Sequence, residues 1–131
     1  MKILFISNKI HRQEPYVYAQ MVAGPDHPRF GEAKNSWLTG TASWALVSAT
    51  QWLLGIRPDY QGLIIDPCIP ADWKDFRVQR WFRGVLYTIV FERKPNMKYQ
   101  LKVDGKSIPV KTVPIFSPGS DHLVEVILGE D

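Results

Sequence analysis

The stretch from residue 41 to 54, TASWALVSATQWLL, constrains this chain more than any other. Apolar side chains occupy Ala42, Trp44, Ala45, Leu46, Val47, Ala49, Trp52, Leu53 and Leu54. Glycines at positions 40 and 55 bound the run, as start and stop signals do for a helix. At helical spacing the apolar residues fill more than one stripe, so a helix here has to be buried on most sides. Such a helix needs neighbours around it. The remainder of the 131 residues offers one further short helical pattern and a set of strands. The sequence therefore predicts a helix whose packing partners belong to a larger protein.

The other elements follow from period and punctuation. Residues 14–24, EPYVYAQMVAG, read as a short helix with Pro15 in the first turn and Gly24 at its end. Residues 25–35, PDHPRFGEAKN, read as loop. From about residue 62 the period becomes two. GLIIDPCIP holds a short strand stopped by Pro67 and Pro70. FRVQRWF and VLYTIVFERK alternate and predict a hairpin turning at Gly84, with Val85, Tyr87, Ile89 and Phe91 on one face. YQLKVDGKSIPVK predicts a second hairpin, with Asp104-Gly105 as a type I′ turn. HLVEVIL closes the set. Five or six short strands at this spacing predict an antiparallel sandwich, with the domain boundary near residues 56–62.

Composition narrows the function classes. Lys and Arg are scattered and the net charge is only +3, which argues against a nucleic-acid partner. One cysteine, Cys68, excludes an internal disulfide and a cysteine-based zinc site. It also fits a reducing compartment, and a cytoplasmic location is expected. Cys68 lies between prolines in an apolar stretch and reads as packed. No run approaches the ~20 apolar residues of a membrane span. The opening MKILFISNKI has an apolar run of only Ile3 to Ile6, too short for the core of a secretory signal.

Chemistry-bearing residues are few. Thr39 and Gly40 sit just ahead of the apolar helix. The first amides of a helix lack internal partners and carry partial positive charge. A hydroxyl beside a glycine suits a bound anion, and it equally suits a plain N-cap; spacing leaves both readings open. The acids Glu14, Asp26, Glu32, Asp66, Asp72 and Asp75 form no fixed pair. His11, His27 and His122 lack metal-ligand spacing and read as loop or surface residues. Ser36 and Ser43 have no nucleophile-elbow context. Tyr16, Tyr18, Trp37 and Trp44 can stack on sugars or pack in a core.

The motifs EPYVYAQ, NSWLTGTASW and LGIRPDYQGLIIDPCIP, taken together, resemble the C-terminal part of the glycoside phosphorylases of glycoside hydrolase family 94. The resemblance covers about residues 14–92 and is nearest to the cellobiose phosphorylases. Chitobiose phosphorylases and the phosphorylase-like part of cyclic β-1,2-glucan synthases are also similar. The implied fold is α+β: the last helices of an (α/α)6 barrel over residues 14–56, then an antiparallel jelly-roll-like β-sandwich over 57–131. Residues 1–13 do not resemble the family.

The activity implied is reversible, inverting phosphorolysis, in which cellobiose and phosphate give α-glucose 1-phosphate and glucose. An inverting hydrolase needs a carboxylic acid for the leaving oxygen and a carboxylate to activate water. A phosphorylase uses phosphate as the nucleophile, so it needs one general acid and a phosphate cradle. By resemblance, Thr39 and Gly40 contact phosphate, Gln20 hydrogen-bonds the sugar, and Glu14 lies near the same subsite. No residue here matches the family's general-acid aspartate, which implies that it is encoded upstream. Inorganic phosphate is a co-substrate and no cofactor is implied. The partners implied are a disaccharide, phosphate, and either a separately encoded upstream half or a second copy. A non-catalytic carbohydrate-binding or interaction module is the alternative.

Overall fold

The computed structural model describes residues 18–35 and 38–129. The chain divides into two compact units, Met1–Val47 and Ser48–Asp131.

In the first unit, β1 (Met21–Val22) pairs antiparallel with β2 (Ala33–Lys34). The Gln20 amide donates across the pair to the Lys34 carbonyl at 3.2 Å, and the Ala23 amide donates to the Glu32 carbonyl at 3.0 Å. Between the strands the chain folds back through short-range bonds, His27 to Gly24 and Phe30 to His27 among them. The helix expected over 14–24 is therefore not formed over residues 18–24. Amides that would have bonded back along a helix reach across to the returning strand, and β-branched Val22 suits that pleated geometry. Residues 14–17 of that expectation lie outside the described residues. The expected loop over 25–35 likewise ends in a short strand.

The apolar stretch is helical but not uniform. Helix α1 spans Thr41–Val47, and Ser48–Leu53 forms a wider π-helical segment. The Leu54 amide accordingly reaches the Ala49 carbonyl, five residues back, at 2.9 Å. No residue of α1 is buried. Trp44 is 72% exposed and Leu46 65%. The amphipathic rule asks that such a helix be covered on most sides, and in this structure it is not.

The second unit is a two-layer β structure. Its larger sheet has the order β5-β6-β10-β7-β8, formed by Asp75–Phe82, Val85–Arg93, Asp121–Leu128, Gln100–Val103 and Lys106–Ile108 respectively. The smaller sheet, β3-β4-β9, is formed by Ile56–Pro58, Gly62–Ile65 and Thr112–Pro114. Both expected hairpins are present. Arg83 and Gly84, and likewise Asp104 and Gly105, have positive φ at both turn positions (51° and 78°; 49° and 77°), the type I′ signature.

The alternation over 85–91 does what the sequence implies: Val85, Tyr87, Ile89 and Phe91 are fully buried. They share one core with Ile56, Leu63, Ile65 and Val113 of the small sheet and with Val124 and Val126 of β10. Phe76 stacks on Phe91 with centroids 4.5 Å apart.

The sheets are not wholly antiparallel. Strand β10 pairs parallel to β6, Val124 opposite Ile89, and antiparallel to β7, Val126 opposite Leu101. The reason is geometric. Strands β6 and β7 run in opposite directions, and β10 inserts between them, so it must be parallel to one.

Candidate functional site

The sequence-predicted phosphate residues lie at the start of α1. Gly40 supplies the carbonyl that accepts the first helical bond, from the Trp44 amide at 3.1 Å, which makes it the N-cap in the backbone sense. Thr39 Oγ1 accepts from the Thr41 amide at 3.2 Å and lies 2.7 Å from Thr41 Oγ1. Thr39 thus caps one leading amide. Gly40 has no positive φ, and a Cβ added there would meet only the Trp44 indole at ordinary contact distance, 3.8 Å. Its backbone angles and described surroundings would accept alanine.

Gln20 is exposed just before β1, and its side-chain oxygen accepts from Asn35 Nδ2 at 3.3 Å. Asn35 adopts φ of 56°, a left-handed conformation that asparagine tolerates, and its carbonyl accepts from the Leu38 amide at 3.2 Å. Hydrogen bonds therefore link Gln20 to the turn that leads into Thr39. Asn35 is the residue that motif reading passed over; the signal for it was its place at a turn after β2. Glu14, Tyr16, Ser36 and Trp37 lie outside the described residues. Tyr18 is 38% exposed.

Two of the remaining acids make ion pairs. Asp66 pairs with Lys111 Nζ at 2.6 Å and with Arg57 at 3.2 Å. The Lys111 hydrogen bond holds its carboxyl below the usual range, against a smaller opposing effect of burial, and Arg57 adds to the lowering. Glu32 pairs with Arg29 at 3.4 Å.

Two expectations need correction. Cys68 is exposed rather than packed, because the segment between Pro67 and Pro70 runs outside the sheets. His122 is not a loop or surface residue: it sits on β10 with its side chain only 14% exposed. The period-two pattern of DHLVEVIL carried that signal, since it places His122 on the same face as buried Val124 and Val126.

Among the described residues, no cluster of His, Cys, Asp and Glu is arranged to hold a metal ion. No helix of the described residues is long and apolar enough to cross a membrane. A shallow cavity opens on the outer face of the large sheet among Glu92, Lys94, Gln100, Lys102 and Glu125. None of the predicted site residues lines it.

An exposed apolar helix led by Thr-Gly is thus followed in the chain by a closed β unit. The sequence profile of the Glycosyl hydrolase 94 superfamily, catalytic domain, matches residues 4–55. That match takes in residues 4–13, which the motif reading had set aside. The chain is 41% identical over 116 residues to the solabiose phosphorylase of Paenibacillus borealis, covering 86% of this chain and 15% of that protein. It is 40% identical over 118 residues to the N,N'-diacetylchitobiose phosphorylase of Vibrio proteolyticus, covering 88% of this chain and 15% of that protein. It is 35% identical over 106 residues to the 3-O-beta-D-glucopyranosyl-beta-D-glucuronide phosphorylase of Paenibacillus borealis, covering 79% of this chain and 14% of that protein. Residues 4–55 belong to the glycosyl hydrolase 94 superfamily, and the chain is a relative of its phosphorylases. It spans about 15% of the length of these curated relatives.

Proposed function

We propose that this chain contributes the phosphate end and part of the sugar site of an inverting disaccharide phosphorylase. Phosphate lies against Thr39 and Gly40, and the glycone is held by Gln20 with Glu14 nearby. The general acid comes from residues outside this sequence. The apolar faces of α1 are covered by the remaining helices of a barrel, whether on the same polypeptide, on a separately encoded half or on a second copy.

The observation that carries this reading is Gly40. Neither its backbone angle nor its described neighbours call for glycine, whereas close approach of an anion to the main chain does. The Thr39 and Thr41 hydroxyls support it. Their mutual contact at 2.7 Å uses one hydroxyl hydrogen of the two, which leaves one for a phosphate oxygen.

The sugar is proposed as cellobiose by motif resemblance, with phosphorolysis giving α-glucose 1-phosphate and glucose. Phosphorylases named for three different disaccharides share 35–41% identity with this chain. That spread supports an acceptor site formed largely outside this segment.

The test is a chimaera in which this chain replaces the matching part of the Paenibacillus borealis solabiose phosphorylase. The chimaera should phosphorolyse its disaccharide. Thr39→Val, by loss of a charge-assisted hydrogen bond, and Gly40→Ala, by a methyl that blocks close approach to the main chain, should each raise KM for phosphate about tenfold or more while changing KM for the disaccharide little. The isolated chain, lacking a general acid worth ~10²–10⁴-fold, should show no turnover. Turnover by the isolated chain, or an unchanged phosphate KM in both variants, overturns the reading.

A further inference from the structure

The β unit holds a cluster that the phosphorylase reading does not use. Asp104 occupies the first central position of the β7–β8 turn, with φ of 49°. Its backbone amide donates to the Leu123 carbonyl at 2.9 Å, and its Oδ1 accepts from the Leu123 amide at 3.0 Å. Its Oδ2 lies 2.6 Å from His122 Nδ1. On the other side of the imidazole, Nε2 lies 2.9 Å from Ser120 Oγ. Ser120 immediately precedes β10 and His122 is its second residue, which brings the hydroxyl to the ring. The pairing of Val103 with Val124 brings the Asp104 turn alongside them.

We infer that Asp104, His122 and Ser120 form a relay that makes Ser120 Oγ a nucleophile toward small acyl esters. The atoms are in the required order. The Asp104 carboxyl is held below its usual range, first by the His122 hydrogen bond and then by the Leu123 amide. Ionised, it can only accept. The hydrogen in the 2.6 Å contact is therefore on Nδ1, which leaves Nε2 of the neutral ring as the acceptor facing the serine. Ser120 Oγ has one hydrogen and two acceptors, Nε2 and the Ser117 carbonyl at 2.7 Å. Rotation of the hydroxyl moves that hydrogen onto the imidazole. A carboxylate that fixes the tautomer, an imidazole base and a hydroxyl nucleophile are the parts of the serine-hydrolase constellation, which is recognised by geometry rather than by fold.

Aromatic rings and backbone bonds surround the relay. Phe116 stacks on the imidazole with centroids 3.7 Å apart, and Tyr87 lies beside it at 6.2 Å. The serine's turn is tied to β6: Gly119 donates to the Gly84 carbonyl at 2.7 Å and Leu86 to the Ser120 carbonyl at 3.2 Å. Ser120 itself is half-exposed. In the reaction, Oγ bonds to the ester carbonyl carbon as its proton passes to Nε2. The bond to the alcohol oxygen then breaks, and that oxygen takes the proton from Nε2. Water removes the acyl group by the same sequence.

A fluorophosphonate probe tests this on the intact chain, because Ser120 Oγ would bond to phosphorus with loss of fluoride. Mass spectrometry should find one adduct, mapped to Ser120 and absent in Ser120→Ala. His122→Gln should slow labelling by about 100-fold, as loss of a general base does, and Asp104→Asn should also slow it. Circular dichroism checks each variant's fold. No adduct at Ser120, or a folded His122→Gln variant that labels at the parent rate, overturns the inference. If His122→Gln does not fold, a folded Asp104→Asn variant labelling at the parent rate overturns it equally.

Discussion

The two units bury their apolar residues in opposite ways. In the β unit, Tyr87, Phe91, Ile65 and Val124 are essentially inaccessible, and two sheets share them in one core. In the first unit the only buried apolar side chain among the described residues is that of Ala33, while Trp44 and Leu46 face outward. The difference in sequence is small, since both stretches are rich in large apolar residues. The difference in outcome is whether the chain supplies a second layer. Alternating strands bury one face against a partner sheet encoded a few dozen residues away. An all-round apolar helix needs several neighbours at once, and no residue of α1 is buried in this structure.

That contrast predicts how substitutions will divide. Phe91→Ala should have the largest effect, about 3–5 kcal/mol, because it empties a closed core and removes the stack with Phe76. Trp44→Ala, equally large in volume lost, should cost less than about 0.5 kcal/mol. Urea denaturation of the two variants compares them directly, and equal costs would abolish the distinction between the units.

Gly55→Ala comes next. Gly55 has φ of 68°, and an added Cβ would sit 2.1 Å from the backbone of Asp66. That contact is where the Asp66 amide bonds the Gly55 carbonyl at 2.9 Å. Strain and collision together should lower stability by more than about 2 kcal/mol, read as a fall in Tm. A neutral result would mean that this edge of the β unit is as loose as α1.

A further small effect is electrostatic. Asp66 has a folded pKa lowered by Lys111 and Arg57, so its contribution is present above the unfolded value, ~3.9. It is lost as pH falls through the folded value. The pair is partly solvated, with the Asp66 side chain 41% exposed, which holds its worth below about 1 kcal/mol. Asp66→Asn should therefore flatten the acid limb of Tm against pH slightly, and leave the Tm difference from the parent constant above pH 6. A steeper acid limb in the variant would reverse the sign of this argument.

Particular residues show where local signals sufficed. The turns at Arg83-Gly84 and Asp104-Gly105 were legible because positive φ at two successive positions selects few residues. The buried face of β6 was legible because its period is two over an uninterrupted run. Strands β3 and β9 were not, since three residues ending in proline carry no period. The segment around residue 21 misled: Pro15 and Gly24 punctuate it like a helix, yet Met21 and Val22 pair with a strand more than ten residues away. For the candidate site, the Thr39-Gly40 pair and Gln20 came from motif alone, and the bond from Gln20 to Asn35 came only from the folded chain.

By itself the sequence determined the hairpins and the demand for a covered helix, and its resemblance to known phosphorylases carried the family. The hairpins and the helix depend on residue types at short spacing, which local sterics and burial preferences read directly. Tertiary structure alone decided that β10 would slot between β6 and β7, and that this would bring Asp104 to His122. Contacts across 18 residues of chain are set by how sheets close, and no local preference encodes that.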